Sequence, residues 1–192
     1  MNKLEGRIKT FEDIARKYIK RDGIENLLTT LRKTDFYTAP ASTRYHDAEE
    51  GGLVEHSIRV AYELSKELKG NNDNYSDETK AIVSLFHDIC KVGYYDVEMR
   101  NKKIDGKWEQ VPCYIVNDQY PFGHGEKSVD MLRDFIDLTE EEKVAIRFHM
   151  GAYEGQQIWN TLSKAYEKYP LALHLHIADM KATYMKDIIE VR

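Results

Sequence analysis

Ser84-Leu85-Phe86-His87-Asp88-Ile89-Cys90-Lys91 sets two metal-grade side chains, His87 and Asp88, next to each other in an otherwise apolar stretch. On a helix turning about 100° per residue, Ala81, Ile82, Val83, Leu85, Phe86, Ile89 and Cys90 sweep out a broad apolar arc. Ser84, His87, Asp88 and Lys91 are left on one narrow strip. A helix this apolar belongs inside a protein, where ionisable groups need partners. Two partnerships are open. Asp88 and Lys91, three apart, can pair as ions at a helix end, or the strip can face a cation held with ligands from elsewhere.

The surrounding chain has 192 residues, 42% hydrophobic and 32% charged, the make-up of an ordered globular chain with a proper core. No apolar run approaches the roughly 20 residues of a membrane span. The charged start, residues 1–7, lacks the apolar segment of a signal peptide. Two cysteines, Cys90 and Cys113, make neither a disulfide framework nor a Cys-x-x-Cys pair, so a reducing, cytoplasmic setting is expected. A net charge of −5 disfavours a broad polyanion-binding face while allowing a local cationic pocket. The expectation is one domain over 1–192, not membrane-bound, with its oligomeric state open.

Moving outward, Thr10 with Asp13 looks like a helix N-cap ahead of the stripe Phe11, Ile14, Ala15, Tyr18 and Ile19. A second short helix carries Ile24, Leu27, Leu28 and Leu31. These, with a loop up to residue 50, form scaffold. A helix over 53–69 carries His56 at the edge of its apolar arc. Ser76 caps the helix of the opening stretch, and Gly93 is expected to end it. Two strand-like runs, 97–103 and 107–116, flank an Asp105-Gly106 turn and predict a β-hairpin inserted at about 97–116. Pro112 marks its second run as an edge or broken strand.

His124 stands between glycines at the start of the next helix, where the helix dipole disfavours a cationic ring. Thr139 and Glu142 form a capping box for a helix through Met150, whose last turn holds His149. Pro170 opens a final helix over 171–189. Asp179 lies mid-helix there, with small residues around it and no arginine near in sequence. His174 is expected at the surface. His176, within a turn of Asp179, is read as supporting a ligand rather than being one.

Singly, His56, His87-Asp88, His124, His149 and Asp179 are each ambiguous. Together they offer four imidazoles and two carboxylates from separate elements of an all-helical body. Such donors suit Mn, Fe, Co, Ni or Zn, and the lack of thiolates argues against a structural zinc site. Two divalent ions would outweigh the charge of Asp88 and Asp179, and the surplus would draw a phosphoryl group.

The order H…HD…H…H…D resembles the HD-domain superfamily of metal-dependent phosphohydrolases. The likeness is carried by Gly51-Gly52-Leu53-Val54-Glu55-His56-Ser57, by Leu85–Lys91 around His87-Asp88, and by Ile177-Ala178-Asp179. It runs over about 51–184 and is nearest the small single-domain members common in Firmicutes and their phages. The resemblance implies an all-α HD-type bundle of about six to eight helices. His56, His87, Asp88 and Asp179 would form the core metal site. His124 and His149 would complete a two-ion centre with Asp88 bridging, or serve as general acid if one ion is bound. One or two divalent ions are implied, Mg among the options. Lys91 would meet a substrate phosphate. Cys90 stands where many relatives have glycine, which implies altered packing behind the metal.

The implied activity is hydrolysis of a phosphate ester of a nucleotide or similar small molecule by hydroxide held on the metal. Arg44, His46, Glu55 and Lys127 are candidate substrate contacts, with a solvated setting the alternative for each. Two other activities fit the same ligands. One is 3′–5′ exonuclease or phosphodiesterase action on single-stranded nucleic acid, with Tyr94, Tyr95, Trp108 and Tyr114 stacking bases or else simply covering core. The other is a di-iron oxygenase.

Overall fold

Every residue from Ala81 to Cys90 is buried, so the apolar stretch that stands out in the sequence is the wall against which the helices pack. The computed structural model describes residues 2–44, 47–71 and 73–185. Its elements run in the order α1 (Lys3–Tyr18), α2 (Ile24–Leu31), α3 (Gly52–Asn71), α4 (Asp77–Phe86), β1 (Tyr95–Ile104), β2 (Lys107–Val116), α5 (His124–Arg133), α6 (Glu140–Arg147), α7 (Trp159–Lys168) and α8 (Pro170–Tyr184). The architecture is helical with one antiparallel ribbon. Among the described residues no helix is long and apolar enough to cross a membrane.

Leu53, Val60, Leu64 and Leu68 of α3, the inner positions of α4, and Leu171, Ala172, Leu175, Ala178 and Ala182 of α8 share one buried cluster with α1 and α2. Phe11 anchors it, meeting Phe36 and Phe86 edge-on with ring centroids 5.4 and 5.5 Å apart, a favourable arrangement for the ring quadrupoles. The small residues of α8 let it lie close along α3. Polar ties reinforce that seam: the Arg59 Nε–H donates to the Ala182 carbonyl, and Lys181 pairs with Glu67. His174 joins it too. It is buried, not at the surface as its sequence position suggests, because Asp73 at 2.9 Å and Glu67 face its ring.

The ribbon pairs Tyr95 with Val116 through to Ile104 with Lys107. Asp105 and Gly106 close it with φ of 48° and 86°, both left-handed, as a tight two-residue hairpin turn requires. Pro112 is accommodated because each strand of a two-stranded ribbon has a free edge.

Three helix boundaries depart from the sequence expectation. Asn2, not Thr10, caps α1; Thr10 lies inside the helix and its hydroxyl donates to the Gly6 carbonyl. The helix α4 ends at Phe86 rather than at Gly93. There His87 Nδ1 takes the Ser84 carbonyl at 2.9 Å, the acceptor that the next turn of helix would need. A 3₁₀ turn, Ile89–Lys91, follows. Likewise α6 stops at Arg147, where His149 Nδ1 bonds the Ile146 carbonyl at 2.7 Å. Two 3₁₀ turns, Gly151–Glu154 and Gln156–Ile158, lead into α7 at Trp159. The end of the final helix, 186–189, lies outside the described residues.

The capping box at Thr139 forms as expected, and its Glu142 does more than cap. The carboxylate is fully buried and accepts two hydrogen bonds from Arg21, at 2.6 and 2.7 Å. It accepts a third from the Thr79 hydroxyl. One side chain thus joins the α1–α2 turn, α4 and α6. Burial alone would raise its pKa, but Arg21, the Thr139 amide and Thr79 outweigh that and hold it below the usual carboxylate range. A depressed folded-state pKa means stability present above the unfolded value and lost as pH falls through the folded one. Glu142→Ala should lower the unfolding free energy at pH 7 by about 3 kcal/mol, because it strands a buried charge. The gap between wild type and Glu142→Gln should close as pH drops below about 4; urea titrations across that range check both.

Candidate metal centre

Asp88 is almost fully buried, and its two oxygens face different neighbours. Oδ1 lies 2.9 Å from His124 Nε2 and 3.4 Å from His149 Nε2. Oδ2 lies 2.7 Å from Lys91 Nζ, 3.4 Å from His87 Nε2 and 4.0 Å from His56 Nε2. Asp179 reaches in from α8, with Oδ1 3.0 Å from His56 Nε2. All six residues singled out in sequence as metal ligands therefore meet in one place. Lys91 meets them there, so the Asp88–Lys91 ion pair and the histidine cluster both exist.

Local chemistry aims the rings. A carbonyl can only accept, so in neutral His87 and His149 the proton sits on Nδ1 and Nε2 presents a lone pair. His87 Nε2 is buried with no hydrogen-bond partner, although a carboxylate oxygen lies 3.4 Å away. In that neutral form two lone-pair atoms face each other and are complementary to a cation between them; without one, Asp88 draws the ring toward its charged form. The His149 carbonyl is held in turn by His176 Nδ1 at 2.7 Å. Gly151 makes room for that ring: a Cβ there would come within 2.5 Å of it.

The convergence of α5 on the end of α6 has a similar cause. A Cβ on Gly125 would sit 2.2 Å from the Arg147 carbonyl oxygen, so only glycine allows the approach. That contact brings the His124 and His149 rings to 5.8 Å between centroids. Gly123, with φ of 95°, turns the chain so that His124 opens the helix.

Electrostatics favour ligation at Asp88, Asp179, His56 and His124. Burial would push Asp88 up, yet Lys91 and the surrounding imidazoles hold it well below the ordinary carboxylate range. Asp179 is likewise held down, by His56 against its burial. Burial lowers His56 and His124 and keeps both rings neutral, as metal ligation requires. His87 moves the other way; burial opposes the charge, but the adjacent Asp88 carboxylate prevails. Lys91 is raised despite burial, through Asp88.

Three sets of ligand atoms lie within 4.8 Å of one another: His56, His87 and Asp88; His87, His149 and Asp179; and Asp88, Cys90 and His124. Nitrogen and oxygen donors dominate, the preference of Mn, Fe, Co, Ni and Zn. The cluster can hold a metal ion. Cys90 is the member that sequence reasoning passed over as packing; its place two residues after Asp88 was the available signal. Burial pushes its thiol up to about 12, so without a metal it is protonated.

The substrate candidates are scattered. Lys91 Nζ donates to the Ala41 carbonyl at 2.6 Å as well as to Asp88, and the Tyr95 hydroxyl donates to the same carbonyl. The loop and the ribbon's root are thereby tied to the centre, a link that no sequence spacing shows. Lys127 does not face water: it is buried on Asp118 at 3.1 Å and lies over the Tyr94 ring. Arg44 is exposed and lines an open groove with Thr43, Arg100 and Tyr114 at the ribbon's root. Glu55 is held in ion pairs by Arg7 and Arg59. His46 lies outside the described residues.

Comparison of the chain with protein-family models, with curated proteins and with solved structures found no match. Gly125→Ala should lower metal affinity about 10- to 100-fold, as loss of ligand support does, while far-ultraviolet circular dichroism shows the helices retained. Competition with a chromophoric chelator measures the change.

Proposed function

We propose that this chain is a metal-dependent phosphohydrolase of the HD-domain type, cleaving a phosphate ester of a nucleotide or similar small molecule. The observation that carries this reading is the division of Asp88, one oxygen toward His124 and His149 and the other toward His56 and His87. A carboxylate shared in this way suits two neighbouring ions. His56, His87, Asp88 and Asp179 would hold one, and Asp88, His124 and His149 the other. When bound, divalent ions supply Lewis-acid polarisation of a phosphoryl oxygen and acidify water.

The chain's own groups do the rest. Lys91 fixes Asp88 Oδ2 and adds positive charge where an anionic ester would be drawn. His124 is the most solvent-reached of the cluster imidazoles, with 21% of its side chain exposed. With a single ion bound on the His56 side, it is instead placed to pass a proton to a leaving oxygen. Lys127 and Tyr94 stand beside it, and a substrate displacing Asp118 would gain an ammonium and an aromatic face.

A nucleotide panel assayed for phosphate release after metal-free preparation and reloading with Mn, Fe, Co, Ni, Zn or Mg tests this directly. Hydrolysis should depend on a divalent ion and vanish in EDTA. Asp88→Ala should lose it entirely, together with bound metal by elemental analysis. Retained turnover of a confirmed substrate by Asp88→Ala would sink the reading.

One observation favours a second substrate class, single-stranded nucleic acid. Trp108 does not cover core; it is 72% exposed near the ribbon's tip, opposite Lys103. An exposed indole beside a cation is a stacking platform for a base. On this alternative, Trp108→Ala should weaken binding of a labelled oligonucleotide by about 1–3 kcal/mol and leave mononucleotide turnover unchanged. Equal oligonucleotide affinity of the two proteins in fluorescence anisotropy would dismiss it.

A further inference from the structure

We propose that Cys90 is itself a metal ligand, forming with Asp88 and His124 a sulfur-containing position that takes a thiophilic divalent ion such as Zn(II), Co(II) or Fe(II). The inference rests on the metal-centre part of the reading above and is independent of which ester, if any, is cleaved.

Its basis is placement. One ligand atom each from Asp88, Cys90 and His124 lies within 4.8 Å of the other two. Metal–sulfur and metal–nitrogen bonds of about 2.3 and 2.0 Å put donors on one ion roughly 3.5 Å apart, a gap that small side-chain rotations close. Cys90 is also positioned from both sides. It follows Asp88 in the 3₁₀ turn after α4. Its backbone N–H donates to the Ser128 hydroxyl at 3.3 Å, and Ser128 lies one helical turn beyond His124 on α5. The two elements that present the thiol and the imidazole are thus joined next to the cluster.

A second observation indicates that this neighbourhood is built for an ion. His87 Nε2, on a fully buried ring, carries no hydrogen bond while it faces the other oxygen of the same carboxylate. Cys90 itself is 1% exposed, which removes it from solvent oxidants and from exchange with other thiols.

On coordination the Sγ–H proton leaves to solvent and the thiolate binds. The thiolate adds one negative charge at this position beside Asp88, whose own charge is shared with the second ion. The second ion, held by imidazoles with Asp88 and Asp179, keeps harder ligands. Cys90 therefore shifts metal choice at its position away from Mg(II) and Mn(II), which prefer oxygen.

Cobalt substitution reads this out without any activity assay. Metal-free full-length protein is titrated with Co(II) as wild type, Cys90→Ser, Cys90→Ala and Cys113→Ser, with folding followed by circular dichroism. Wild type and Cys113→Ser should show visible d–d bands together with a near-ultraviolet sulfur-to-cobalt charge-transfer band. Both Cys90 variants should lose the charge-transfer band, keep d–d absorption from the remaining site, and bind the weaker cobalt at least about tenfold less tightly. Wild-type d–d bands without charge transfer would overturn the proposal and leave the metal centre standing. A charge-transfer band that survives in Cys90→Ala would overturn it equally. Absence of any cobalt spectrum in wild type would remove the metal centre, and the Cys90 ligand with it.

Discussion

One carboxylate sits where carboxylates are costly. Asp88 is enclosed by α3, α4, α5, the end of α6 and α8, and an isolated ion there would forfeit its hydration. Lys91 offsets part of that cost, and the imidazoles crowd the rest of its surface. Ionisation of Asp88 thus depends on five segments arriving together. Their arrival is what the remainder of the structure arranges.

Two of those arrivals use the same local device. His87 and His149 each follow a helix end and bond the carbonyl three residues back through Nδ1. Helix ends leave carbonyls without partners, and here the imidazole supplies one. The helix terminates and Nε2 is directed at Asp88. The termination of two helices and the aiming of two candidate ligands are a single event. Glycine contributes at Gly125 and Gly151, where any side chain would hold α5 or the His176 ring away from the centre.

The legibility of this protein in its sequence follows the range of the forces involved. Residue types and spacing disclosed the helices, the Asp105-Gly106 hairpin, the Thr139–Glu142 box and the six ligand candidates, because those signals are local or compositional. Helix ends at Phe86 and Arg147 were not legible, since each depends on an imidazole bending back on its own backbone. His174 read as surface because its partners, Asp73 and Glu67, lie about 100 residues away along the chain. Lys127 was ambiguous for a related reason: Asp118 belongs to an irregular segment with no periodicity to read.

By itself the sequence determined that His56, His87, Asp88, His124, His149 and Asp179 needed an occupant or one another, because buried ionisable groups cannot stand alone. Only the tertiary structure decided how they divide: His124 and His149 to one oxygen of Asp88, His56 and His87 to the other, with Asp179 on His56. It also decided that Cys90, apolar filler on a helical wheel, stands beside the candidate ligands Asp88 and His124. Spacing along a chain sets which residues share a face. The angle at which a carboxylate meets four rings is set by where helices stop and how closely their backbones approach, and those are properties of packing.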